Sequence, residues 1–169
     1  MKSKYSIECA IENTNDEYDL SLKEWTKITQ DLFKNLVSHK EICSNYCLKG
    51  LDFDKIFFDV TFTDGIQTHE LNREYRKKDS PADIITFALF ADSEEKFVTD
   101  GEIVLGDIVL ALDKVEEFAK EKGNTFDYEL KFLIAHGILH LLGFDHQTED
   151  EYNFVVKHQT QAIEELENE

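Results

Sequence analysis

Two rhythms of apolar and polar positions run along the chain. Residues 5–11, 55–63, 84–90 and 102–110 are rich in Ile, Val, Phe and Thr, either alternating with polar residues or continuous, and this predicts four strands. Between the first two, Leu22, Trp25, Ile28, Leu32, Leu36 and Val37 recur at helical spacing, and Ser21 can cap them, so residues 22–39 read as a long amphipathic helix. Thr63, Asp64 and Gly65 form a turn signal, after which residues 66–75 read as a short helix carrying His69 and Leu71, barred from continuing by Pro81. The second half is mostly helical. Residues 112–122 stop at Gly123, residues 127–142 stop at Gly143, and residues 148–166 open on Thr148, Glu149, Asp150 and Glu151, whose acids suit the positive end of a helix dipole.

The order of these elements predicts an α+β domain spanning 1–169, a small mixed four-stranded sheet packed with about five helices. No repeat, low-complexity tract or linker interrupts it. Apolar residues at 41%, with thirteen phenylalanines, supply enough burial for a single core and exclude the disordered class. The apolar run at 84–91 falls far short of the roughly 20 residues a membrane helix needs, so no membrane span is expected. The first residues carry two lysines but meet Glu8 and Glu12 before any apolar stretch, unlike a signal peptide, and a cytoplasmic location is expected. Cys9, Cys43 and Cys47 lack structural-zinc spacing and read as reduced thiols.

Charge sharpens the picture. A net charge of −18 opposes polyanions in general, and DNA is not an expected partner. The only two arginines, Arg73 and Arg76, nevertheless stand beside Lys77 and Lys78, making one dense basic patch at 73–78.

Half of the six histidines lie within 136–146. His136 and His140 are four apart in a helical segment and so share a face, and Gly143 lets the chain reverse and bring His146 to the same point. Three imidazoles suit a divalent ion, zinc first, and leave a coordination position open for hydrolytic chemistry. The spacing is also that of the metzincin proteases. Their general-base glutamate, however, follows the first histidine, where this chain has Gly137, and their Met-turn is missing because the only methionine is Met1. Zinc itself lowers the pKa of water to about 7, so a hydrolase of peptides or small molecules stays open as an alternative. His39, His69 and His158 show no such pattern and read as structural or solvent-exposed.

The stretch HGILHLLGFDH resembles the H-G-x-L-H-L-x-G-[YF]-D-H signature of the YbeY family of endoribonucleases. LNREYRKKD at 71–79 is similar to that family's L-N-x-x-[YF]-R-x-x-D segment, LGDIVL at 105–110 to its G-D-I strand, and Gln161 before IEEL to its closing helix. The resemblance covers roughly residues 50–166. It implies a zinc-hydrolase-like fold and a zinc-dependent endoribonuclease, with nickel as another possible ion. The substrate class is single-stranded RNA, in maturation of the 3′ end of small-subunit ribosomal RNA and in ribosome quality control, with the ribosome or its proteins as partners. In that setting Arg76 would grip phosphate, Arg73, Lys77 and Lys78 would flank it, and Asp145 would orient a ligating histidine or accept a proton. Asp83 and Asp107 read as structural. The chain departs from the family pattern at Ala82, Thr86 and Ala88, and Lys77 stands where glycine is usual. A noncatalytic assembly factor stabilised by zinc is the third reading.

Overall fold

Strand β2 (Lys55–Thr63) alternates strictly, with Ile56, Phe58, Val60 and Phe62 buried on one face. Its neighbour β4 (Glu102–Ala111) changes parity midway: Ile103 and Leu105 are buried, and so are Ile108 and Leu110. A β-bulge reconciles the two, since Phe57 pairs with Val104 and Phe58 with Gly106, leaving Leu105 as the extra residue. Both apolar halves of β4 thereby face one core. β1 (Ser6–Asn13) pairs parallel to β2 and β3 (Ile84–Phe87) antiparallel to β4, giving the mixed order β1-β2-β4-β3. These coordinates are a computed structural model describing residues 4–168. The ends of the expected domain, 1–3 and 169, lie outside the described residues.

Among the described residues, six α-helices complete the α+β fold: α1 (Leu22–Ser38), α2 (Lys40–Cys43), α3 (Gly65–Leu71), α4 (Leu112–Lys122), α5 (Phe126–Leu141) and α6 (Glu149–Glu167). The extra one relative to the sequence reading is α2, a single turn too short to show a period. Ser21, Asp64, Thr125 and Thr148 each accept a bond from the backbone N–H three residues on, fixing the starts of α1, α3, α5 and α6. α5 is apolar nearly all round, as a helix surrounded by other elements must be. It packs against α1, α4, α6, β3 and β4. Among the described residues, no helix is long and apolar enough to cross a membrane.

Two findings differ from the sequence reading. The helix expected over 66–75 changes character at Asn72: residues Asn72–Arg76 form a π-helical turn ending on Lys77 in the left-handed region, φ 55°. The strand expected over 84–90 stops at Phe87, where Ala88 turns the chain and its carbonyl accepts from Asp92 N at 2.9 Å. Gly106 permits that close approach, because a Cβ there would stand 1.9 Å from the Phe87 carbonyl oxygen.

His39 and His158 are both buried and tie α6 to the α1–α2 junction. Their Nδ1 atoms are 2.8 Å apart, the His39 Nε2 bonds Glu165, and the His158 Nε2 lies 3.2 Å from Glu41. They are structural, as expected, and not solvent-exposed. His69 bonds Asp79 at 2.7 Å. The three cysteines are free thiols.

Candidate metal centre

α5 can reach the centre of the molecule because one of its residues has no side chain. A Cβ at Gly137 would meet three carbons of Ile108 on β4 at 2.9–3.1 Å. With the helix seated on the sheet there, His136 and His140 project together from the flank of that contact, ring centroids 5.5 Å apart. The helix then ends in a Schellman motif: Gly143 N bonds the His140 carbonyl at 3.0 Å and Phe144 N the Leu139 carbonyl at 3.0 Å, with Gly143 at φ 98°. That reversal carries His146 back to within 4.8 Å of the His136 ring and 5.3 Å of the His140 ring.

The available nitrogens of His136, His140 and His146 all lie within 4.8 Å of one another. The three nitrogens would together hold one divalent ion. The donor chemistry fits as well. Burial first, and then the closeness of the His140 and His146 rings, lower the His136 pKa to about 4, against a hydrogen bond with Gln159 that raises it. His140 is lowered by burial first and then by His146. Both rings are thus held neutral, the form that donates a lone pair to a metal. The Cys47 thiol, pushed up to about 11 by burial, keeps its proton and bonds the Leu141 carbonyl instead. Among the described residues the group has three members, which leaves the coordination open.

The residues around the trio carry charge. Arg76 is exposed, has no carboxylate partner among the described residues, and lies near enough His140 to act on its protonation. Asp145 and Asp92 act on the same ring with opposite sign. Asp145 is exposed, and its Oδ1 accepts from the His146 backbone N–H at 2.8 Å, bracing the third histidine. Lys77 and Lys78 are exposed beside Arg76 and also lack carboxylate partners among the described residues. Arg73 differs: its guanidinium donates to Asp79 at 3.0 Å, on the carboxylate oxygen that His69 also reaches. The structure therefore groups His136, His140 and His146, puts Arg76 and Asp145 near enough to act on the His140 ring, and leaves Arg73 engaged with Asp79. Asp83 and Asp107 are apart from this group. Asp83 accepts from Ile84 N at 2.8 Å, and Asp107 faces Asp59 across the sheet, with burial and that neighbour raising its pKa.

Three residues escaped the sequence reading. Gln159 on α6 donates to the Phe132 carbonyl at 2.8 Å and hydrogen-bonds His136, orienting a ligand from behind. Asp92 comes from an irregular segment with no signature. Tyr75, 62% exposed, presents its ring edge-on to Phe87 at 5.6 Å, beside the basic patch. Only the aromatic at the fifth position of LNREYRKKD could have flagged one of them.

The backbone is similar to a Thermotoga maritima protein solved in solution, with a TM-score of 0.52 at 23% identity over 96% of this chain and 92% of that one, which supports the fold. A Bacillus pumilus protein named Endoribonuclease YbeY is 41% identical over 66% of this chain and 72% of its own length. A Geobacillus protein of the same name is 44% identical over 62% and 69%. The profile of the family described as Endoribonuclease YbeY matches residues 10–167, a span that takes in the bulged strand, the basic turn and all three histidines. By its sequence along nearly its whole length, this chain belongs to the YbeY endoribonuclease family.

Proposed function

We propose that the chain is a zinc-dependent endoribonuclease acting on single-stranded regions of ribosomal RNA, in the cytoplasm and in association with the ribosome. The observation that carries this is an open trio of histidines, two of them held neutral by burial, beside Arg76, an exposed arginine with no carboxylate partner among the described residues. A phosphodiester entering such a site meets a cation and a guanidinium together. His136, His140 and His146 would hold the ion, zinc before nickel given three nitrogen donors, and when bound it supplies Lewis-acid charge to the reacting phosphate.

The chain's own residues do the rest. Arg76 pairs with the non-bridging phosphate oxygens and offsets the negative charge that grows on them as the new P–O bond forms and the old one breaks. Asp145 has one carboxylate oxygen committed to the His146 backbone, and the other takes the proton of the attacking hydroxyl and returns it to the departing oxygen, which leaves as an alcohol. Lys77 and Lys78 attract the flanking backbone, and the exposed Tyr75 ring offers a face on which an unpaired base can stack, which favours single strands over duplex.

The peptidase alternative meets a steric obstacle. Its base would stand at position 137, where even a methyl group collides with Ile108. The experiment is a cleavage assay on single-stranded RNA with metal content measured in parallel. Wild type should cut. His140→Ala should lose both metal and cutting, and Arg76→Ala should keep metal and lose at least about a hundredfold in rate, the scale of one transition-state charge contact. Peptide turnover without RNA turnover would overturn the proposal. Ribosome binding without cleavage of any RNA would favour the noncatalytic reading.

A further inference from the structure

A cavity of about 710 Å³ opens between the start of β1, the C-terminal half of α1 and the segment 43–53, and the proposed reaction does not use it. Lys4, Lys34 and Lys49 stand exposed around it, and Asp52 is the one carboxylate in its lining. None of the three lysines forms an ion pair among the described residues, although the chain carries 36 acids to 18 bases. On so acidic a surface, three unneutralised ammonium groups sharing one opening make a local positive field that attracts an anion.

The walls say which kind of anion. Tyr5 packs its ring 4.6 Å from Phe53, and its hydroxyl hydrogen-bonds Tyr46. All three aromatics line the cavity. Burial raises the pKa of both tyrosines, so their hydroxyls stay protonated donors. Aromatic walls with cationic rims suit a flat ring joined to phosphate. We propose that this cavity binds a nucleotide, with its base against the aromatic wall and its phosphate among Lys4, Lys34 and Lys49.

The cavity adjoins the metal centre through a single segment. Cys47 N bonds the Leu142 carbonyl at 2.9 Å, directly beside the Gly143 turn, while Tyr46, Leu48 and Lys49 on either side line the cavity. A single strand held at the histidines therefore has a second foothold behind the same loop. The nucleotide is either part of such a strand, which rests on the endoribonuclease reading, or a free nucleotide, which does not.

The test measures binding and not cleavage, so its failure is separate from failure of the proposed function. Metal-loaded protein is titrated with adenosine 5′-monophosphate and with a non-cleavable 2′-O-methyl oligonucleotide of about ten residues, while the backbone resonances of Tyr46 and Lys49 are followed. Both probes should shift those resonances, and Lys34→Glu with Lys49→Glu should weaken binding by about tenfold or more, metal content unchanged. An oligonucleotide that binds more tightly than the mononucleotide identifies RNA as the source, and equal affinity identifies the free nucleotide. Unmoved resonances with both probes, or equal binding by the charge-reversed variant, would overturn the proposal.

Discussion

Position 137 shows how one missing side chain sets both fold and chemistry. Gly137→Glu would force a Cβ to 2.9 Å from Ile108 and bury a carboxylate at the helix–sheet contact. We expect a loss of at least about 3 kcal/mol, from overpacking together with an unpaired buried charge, read as a drop in the urea midpoint. Gly137→Ala should cost about 1 kcal/mol, because the gain in helix propensity partly offsets the clash. His136 makes a pH prediction. Its folded pKa of about 4 lies below the 6.5 of a free imidazole, so the unfolded chain binds the proton first. For the metal-free protein, that contribution to stability is present above about 6.5 and is lost as the pH falls toward about 4. Urea midpoints of wild type should therefore fall more steeply across that window than those of His136→Asn. Equal slopes would show that the ring is not held neutral by the fold.

The Schellman turn joining α5 to His146 is the element on which the centre depends. Gly143→Ala introduces no clash, since its nearest neighbour would be the Cys47 Cβ at 3.5 Å, but it places an L side chain at φ 98°. That strain of about 1–2 kcal/mol is relieved by opening the turn, so affinity for a divalent metal should fall by roughly tenfold while α5 itself stays helical. Competition with a chromophoric chelator, alongside circular dichroism, separates the two effects. This turn was legible in the sequence, because a glycine after an apolar helical run has one common use and the histidine spacing depends on it. The α1, α4 and α6 boundaries were legible for similar local reasons. What stayed hidden depends on contacts between distant segments. The π-helical turn at Asn72–Arg76 leaves no periodic trace, though the family's usual glycine at position 77 is now explained by the left-handed backbone Lys77 adopts. The β3 stop at Phe87 follows from the approach to Gly106, and neither the His39–His158 contact nor the Gln159 bond behind His136 could be read from spacing, because each depends on how separate helices pack.

At the scale of the whole molecule, a charge of −18 must coexist with an RNA substrate. The acidic body repels the strand everywhere except where cations are unneutralised, so affinity for isolated RNA should be weak at physiological salt and a ribosomal partner should supply much of the targeting. The salt dependence counts the cations in use. Arg76, Lys77 and Lys78 have no carboxylate partner among the described residues, whereas Arg73 is already neutralised by Asp79. Single-stranded RNA held by that patch alone should show a slope of log affinity against log salt near about −2, at roughly 0.7 per phosphate contact. If the strand also occupies the lysine-rimmed cavity, the slope steepens toward about −4, and Lys34→Glu with Lys49→Glu returns it to the shallower value. A slope near zero in wild type would mean that neither cluster meets phosphate, and the basic turn would then be only a solvated end of α3.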